Sequence, residues 1–168
     1  MGSEMCIRDR HMTIAPAEVS EDVAKEAHEL ALRLAQGFEL AGILAIELFV
    51  TKDERVIVNE LAPRPHNSGH YTIEACSFDQ FDAHIRGIAG WPLEQPELLK
   101  PAVMVNVLGQ HVAPTRALIA EHPEWNMHDY CKAEVRHDRK MGHITVLTDD
   151  TRQTVADLER TGCWDDLK

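Results

Sequence analysis

Apolar residues recur along this chain in two rhythms. From Ala17 to Gln36 they fall at Val19, Val23, Ala27, Leu30 and Leu34, a helical spacing with Gly37 just past its end. The rhythm then tightens. Gly42 to Thr51 (GILAIELFVT) and Arg55 to Leu61 (RVIVNEL) read as strands joined by the polar turn Lys52-Asp53-Glu54. Thr72 to Cys76 and Phe78 to Ala89 read as a broken helix with Phe81, Ile85 and Ile88 on one face. A proline-rich crossing from Trp91 to Pro101 follows. Beyond it the pattern predicts strands over Ala102 to Gly109, Asp129 to Glu134 and His143 to Thr148, with a short helix at Thr115 to Ala120. Arg136 to Gly142 reads as a polar turn, and Thr151 to Arg160 as a closing helix with Thr151 as its N-cap.

The segment Val58 to His70 (VNELAPRPHNSGH) departs from both rhythms. A strand runs straight into a loop carrying a carboxylate, an arginine, two histidines and two amides. Pro63 and Pro65 fix their own φ and bias their predecessors toward extended geometry, so Arg64 and His66 are held in place. Pre-set backbone lowers the entropy lost in orienting a reactant, which marks the loop as a site. Pairing adds to this. If the hairpin closes with a two- or four-residue loop, Glu47 lies directly opposite Glu60, while Leu44, Ile46, Leu48 and Val50 share the other face with Ile57 and Leu61. A three-residue loop breaks that pairing. Opposed like charges are destabilising, and a divalent cation between them is one remedy. A solvated acidic pair is the other reading, and the pattern leaves both open.

A basic turn stands out in an acidic chain. Arg136-His137-Asp138-Arg139-Lys140 carries three permanent positive charges within a molecule of net charge -11. It reads either as a solvated hairpin tip or as a phosphate clamp, since arginine offers a fork and lysine a point charge. His66 and His70 stand i, i+4, but Asn-Ser-Gly between them is poor helix material and no third ligand is near, so zinc is disfavoured.

The run Asn59 to Tyr71 (NELAPRPHNSGHY) resembles the signature loop of the 5-(carboxyamino)imidazole ribonucleotide synthases, ATP-grasp ligases of purine biosynthesis. Ile14 to Ala17, Gly42 to Val50, Val103 to Gly109 and Arg139 to Ile144 resemble further segments of that family, so the likeness runs from about Thr13 to about Arg160. It implies an α+β fold: the C-terminal part of an ATP-grasp domain over residues 13–95, then a small β-rich sandwich or barrel-like domain over 96–168. Family members also carry an α/β domain and a lid ahead of these parts, so the chain resembles their C-terminal half. The implied chemistry is ATP-dependent carboxylation of aminoimidazole ribonucleotide by bicarbonate through carboxyphosphate. The resemblance assigns Glu47 and Glu60 to magnesium or manganese, Asn59 and Glu60 to ATP, and Arg64, His66 and Asn67 to bicarbonate and the anionic intermediate. Ser68 assists there, and Lys132, Arg136, Arg139 and Lys140 hold the ribonucleotide phosphate. It also implies a cytoplasmic homodimer. Two departures stand: the family's Pro-Gly before the Arg-Lys pair is His137-Asp138 here, with one apparent extra residue, and Ala62 stands where many ATP-grasp enzymes have asparagine. A formate-dependent glycinamide ribonucleotide transformylase and a non-catalytic nucleotide- or anion-binding module remain as alternatives.

Composition narrows the class. The acidic balance argues against a nucleic-acid surface, and no run approaches the ~18 apolar residues of a membrane span. Cys6, Cys76, Cys131 and Cys163 form no C-x-x-C pair, so neither zinc nor a disulfide framework is indicated. Residues 1–12 carry no period and read as a non-native or disordered leader, without the apolar run of a signal peptide.

Overall fold

The computed structural model describes residues 12–165. They divide into two compact units, one formed by residues 17–97 and the other by residues 12–16 together with 98–165. The expected leader lies outside the described residues except for Met12, which opens a strand. That strand, β1 (Met12–Ala15), pairs antiparallel with residues Ala102–Val105. Residues 13–16, expected to travel with 17–95, therefore belong to the other unit, because backbone pairing outweighs neighbourhood in sequence.

In the first unit, helix α1 spans Glu21–Gly37. It starts later than the apolar spacing alone predicts because Ser20 caps it, its hydroxyl accepting the Val23 N–H, with Glu21 and Asp22 in the first turn. The antiparallel hairpin of β2 (Ala45–Val50) and β3 (Val56–Ala62) follows, packed on α1. Next come a 3-10 turn (Asn67–Gly69), the short helix α2 (Thr72–Ala75) and helix α3 (Gln80–Ala89). The predicted break in the helix has a specific cause: Asp79 caps α3, its carboxylate accepting N–H groups of Phe81 and Asp82 at 2.7 and 2.9 Å. His84 of α3 accepts the Ile43 N–H through Nδ1 at 3.1 Å, and Gly87 meets Gly42 so closely that a Cβ would strike its backbone. The helix thus anchors the approach to β2.

In the second unit, β1, β4 (Ala102–Leu108), β5 (Asn126–Asp129) and β6 (Lys140–Leu147) form one antiparallel sheet in the order β1-β4-β6-β5. This is the form taken by the β-rich domain expected from the sequence. Helix α4 (Val112–Leu118) follows β4, and α5 (Thr151–Arg160) follows β6. Val103, Val105, Val107, Ile144 and Val146 pack with Trp125, Leu158 and Trp164 in the core, and the Trp164 indole N–H donates to the Asn106 carbonyl at 3.0 Å. Two details differ from the sequence pattern. The N-cap of α5 is Asp150, which accepts the Gln153 N–H, so Thr151 is the first helical residue. The strand expected over 129–134 ends at Asp129, where the Asp129 carboxylate takes the Cys131 N–H at 2.8 Å and Cys131 turns to φ +52°. That local hydrogen bond competes with the ladder and wins. No helix among the described residues is long and apolar enough to cross a membrane.

Gly109 follows β4 at a point where a Cβ would fall on the Arg136 carbonyl oxygen. Gly109→Ala is therefore expected to destabilise this unit by about 1–3 kcal/mol, the cost of overpacking against backbone that cannot yield. Urea unfolding followed by the fluorescence of Trp125 and Trp164 measures it.

Candidate functional site

The hairpin closes with three residues, Lys52–Glu54, where the Thr51 N–H donates to the Arg55 carbonyl and Glu54 takes the left-handed conformation at φ +58°. This turn offsets the ladder by one residue, pairing Val50 with Val56, Phe49 with Ile57 and Leu48 with Val58. Carried on, it would set Glu47 against Asn59. A β-bulge intervenes between Glu47 and Leu48, and beyond it Glu47 pairs with Glu60, Ile46 with Leu61 and Ala45 with Ala62. Asn59 is the extra residue, and its Nδ2 donates to Glu47 Oε2 at 3.2 Å. Bulges re-aim side chains in this way. The expected opposition of Glu47 and Glu60 is thus present despite a turn that was expected to break it. Ile57, expected with Leu61, lies instead opposite Phe49 on the carboxylate face, since the bulge inverts the alternation on the turn side.

The loop after β3 brings its own groups to Glu47. His66 Nδ1 stands 3.5 Å from Glu47 Oε1 and 2.9 Å from Ser68 Oγ, with only 15% of its side chain exposed. Glu47 therefore has Asn59 and His66 at its carboxylate, Ser68 beyond the imidazole, and Glu60 as its partner across the ladder. Arg64 is exposed and folds back on its own loop, Nη1 donating to the Pro65 carbonyl at 3.1 Å. Asn67 opens the 3-10 turn that begins after His66. Burial pushes the Tyr71 phenol above its ordinary range, assisted by the nearby Cys76, and also raises the Cys76 thiol.

Sequence reasoning missed Gln80. It is buried, and its amide contacts both the backbone of His66 and the ring of His70. A glutamine at the first position of a helix, just inside an aspartate cap, is the only trace of it in the sequence.

Lys132, Arg136, Arg139 and Lys140 belong to the other unit, in and beside one loop. Arg136 is ion-paired with Glu134, while Arg139 Nη1 donates to the Glu134 carbonyl at 3.1 Å. Lys132 Nζ donates to the Lys140 carbonyl and lies 5.4 Å from the centre of the Tyr130 ring. Asp138 occupies the left-handed region at φ +59°, and Gln110 grips it twice, accepting its N–H at 2.9 Å and donating to its carboxylate at 3.1 Å. At the loop's entrance, the Cys131 N–H and the Arg116 guanidinium hold the Asp129 carboxyl below the usual carboxylate range.

Among the described residues no cluster of three or more His, Cys, Asp or Glu side chains forms a cation cage. Two facing carboxylates flanked by an amide suit magnesium bound alongside phosphate, because that ion keeps waters and takes one or two protein carboxylates. They suit zinc poorly, since a structural zinc site takes four ligands drawn from nitrogen and sulfur as well as oxygen.

The chain resembles known proteins in both of its parts. Residues 7–81 match the ATP-grasp domain model, and residues 102–157 match the phosphoribosylaminoimidazole carboxylase C-terminal domain model. The N5-carboxyaminoimidazole ribonucleotide synthase of Staphylococcus saprophyticus is 46% identical over 84% of this chain and 38% of its own length. A crystal structure of the ADP complex of an N5-carboxyaminoimidazole ribonucleotide synthetase is 42% identical, with a TM-score of 0.90 over 94% of this chain and 42% of its own. The Aspergillus clavatus synthase, solved with ADP and 5-aminoimidazole ribonucleotide, is 34% identical with a TM-score of 0.79, over 94% of this chain and 43% of its own. The chain thus spans about two fifths of the length of the relatives it matches.

The opposed carboxylates make a prediction of their own. Glu60→Gln is expected to stabilise the first unit by about 0.2–1 kcal/mol in the presence of a chelator, by removing a like charge across the ladder. Thermal unfolding with EDTA, compared between the two proteins, measures the gain.

Proposed function

Since the chain belongs to the N5-carboxyaminoimidazole ribonucleotide synthase family, with the matched parts of its ATP-grasp and C-terminal domains, we propose that it carries the metal- and anion-handling groups of an ATP-dependent carboxylation. The substrates on this reading are 5-aminoimidazole ribonucleotide, bicarbonate and ATP. The products are the N5-carbamate, ADP and phosphate. The observation that carries it is the approach of Asn59 and His66 to the Glu47 carboxylate, with Glu60 its partner across the ladder.

Bicarbonate is a poor electrophile, and phosphorylation to carboxyphosphate turns one of its oxygens into a leaving group. The ribonucleotide amine then takes the carboxyl carbon. Glu47 and Glu60 would hold magnesium, with manganese as a substitute, and the ion would supply charge neutralisation for phosphoryl transfer. Asn59 serves beside the nucleotide while bonded to Glu47. Arg64, His66 and Asn67 orient bicarbonate and stabilise the anionic intermediate, the electrostatic contribution that dominates such steps, with Ser68 steadying the imidazole. In the basic loop, Arg136 is neutralised by Glu134, whereas among the described residues Lys132 and Arg139 meet carbonyls and an aromatic ring. Lys132 and Arg139 are therefore the principal ligands of the ribonucleotide phosphate, with Arg136 and Lys140 reinforcing the field. A homodimer in the cytoplasm belongs to the same reading.

The test is a chimera in which this chain replaces the matching segment of the Staphylococcus saprophyticus synthase. With magnesium and ATP, ADP release is expected to require both bicarbonate and the ribonucleotide. Glu60→Gln is expected to lower kcat at least about a hundredfold, as loss of a preorganised charge-stabilising group does. Turnover indifferent to that change, or none from a well-folded chimera, overturns the reading.

A further inference from the structure

Gln80 is the first residue of α3 and only 6% exposed, yet its side-chain amide is fully engaged. Its Oε1 accepts the His66 N–H at 2.8 Å, and its Nε2 donates to the His66 carbonyl at 2.9 Å. A side chain here pairs with one residue's backbone from both sides, as a neighbouring strand would. The second Nε2 proton meets His70 Nδ1 at 2.8 Å. We propose that Gln80 is the positioning residue of this site: it sets the backbone of His66 and holds His70 as a neutral imidazole protonated on Nε2.

The orientation of the amide follows from its partners. A backbone N–H only donates and a carbonyl only accepts, so His66 fixes which end of the amide is oxygen. Nε2 carries no lone pair available for acceptance, so His70 Nδ1 must be the acceptor and the ring proton must sit on Nε2. The surroundings are shaped for this. Gly69 leaves the space: a Cβ there would stand 2.5 Å from Gln80 Oε1. Thr72 Oγ1 accepts the Gln80 backbone N–H at 3.1 Å while donating to the Gly69 carbonyl at 2.6 Å. The His70 ring stacks on Phe81, the next residue of α3, at 5.6 Å and 18°. Between β3 and α3 the chain has only one 3-10 turn and a four-residue helix, too little regular structure to fix His66 by itself. A glutamine on a capped helix supplies the reference point.

This inference rests on the carboxylation reading for what His66 does, but not for how His66 is held. Two variants separate the contacts. Gln80→Glu keeps an acceptor for the His66 N–H and removes both donors, whereas Gln80→Leu removes all three contacts at similar volume. In the 15N-labelled chain, His70 Nδ1 is expected to show the shift of an unprotonated ring nitrogen. That signature is lost in Gln80→Glu, whose carboxylate draws a proton onto Nδ1, while slow exchange of the His66 amide survives in Gln80→Glu and is lost in Gln80→Leu. In the chimera, kcat is expected to fall about tenfold for Gln80→Glu and about a hundredfold for Gln80→Leu, with the KM for ATP within twofold, as for displacement of a reacting group by about 1 Å. A His70 protonated on Nδ1 in the unaltered chain overturns the proposal. So does a Gln80→Glu protein that is folded yet unchanged in both His70 signature and kcat. If the unaltered chimera shows no turnover, the carboxylation reading fails, and the His70 and His66 signals still decide whether Gln80 holds this loop.

Discussion

Side chains alternate across a strand with period two, so the turn at Lys52–Glu54 and the bulge at Asn59 act as a pair. The three-residue turn offsets the ladder by one position, and the bulge returns it. Two offsets make zero at Glu47 and one at everything nearer the turn. The carboxylates therefore face each other although the turn alone would set Glu47 against an amide. The inserted residue is itself polar and hydrogen-bonded to Glu47, so the defect in the ladder becomes part of the candidate site. Bringing two carboxylates together costs stability in the absence of a cation. Such a cost is tolerated where a ligand offsets it.

Away from the strands, glutamine side chains do the work that backbone ladders do within them. Gln80 pairs with His66, and Gln110 pairs with Asp138 in the other unit. In each case an amide offers a donor and an acceptor at fixed separation, matching a backbone N–H and a neighbouring acceptor. Glycine makes room in both places: a Cβ on Gly69 would strike the Gln80 amide, and one on Gly109, beside Gln110, would strike the Arg136 backbone of the basic loop. Polar loops hold functional side chains at low entropic cost only when something rigid registers them, and here a capped helix and the end of a buried strand serve. Asp138 in the left-handed region shows how the departure from the family's Pro-Gly is accommodated. A short polar residue tolerates φ +59° far better than a branched one, and Gln110 binds its carboxylate.

Periodicity determined a good deal by itself. Alternation of apolar and polar residues marked the hairpin, the spacing of Val23, Leu30 and Leu34 marked α1, and the loop from Asn59 to Tyr71 marked a candidate site and carried the family resemblance. These are local properties, set by backbone sterics and residue type over a few positions. Element ends followed less closely. Ser20, Asp79 and Asp150 each begin a helix by accepting one or two backbone N–H groups, and a competing cap a residue away reads almost equally well in sequence. The early end of β5 likewise turned on one carboxylate accepting one N–H.

What only the tertiary structure decided are the relations between distant positions. The pairing of β1 with β4 assigns residues 12–15 to a unit almost ninety positions away, since any exposed strand edge can in principle accept them. The face on which Ile57 lies depends on a bulge that no periodicity announces, because one inserted residue inverts the alternation without altering composition. Gln80 lies fourteen positions from His66, and its role exists only once α3 is docked by His84 and Gly87 against the approach to β2. Sequence alone therefore determined which groups are present and which chemistry they suit. Folding decided their distances, because hydrogen bonds between remote residues are chosen by packing and not by spacing along the chain.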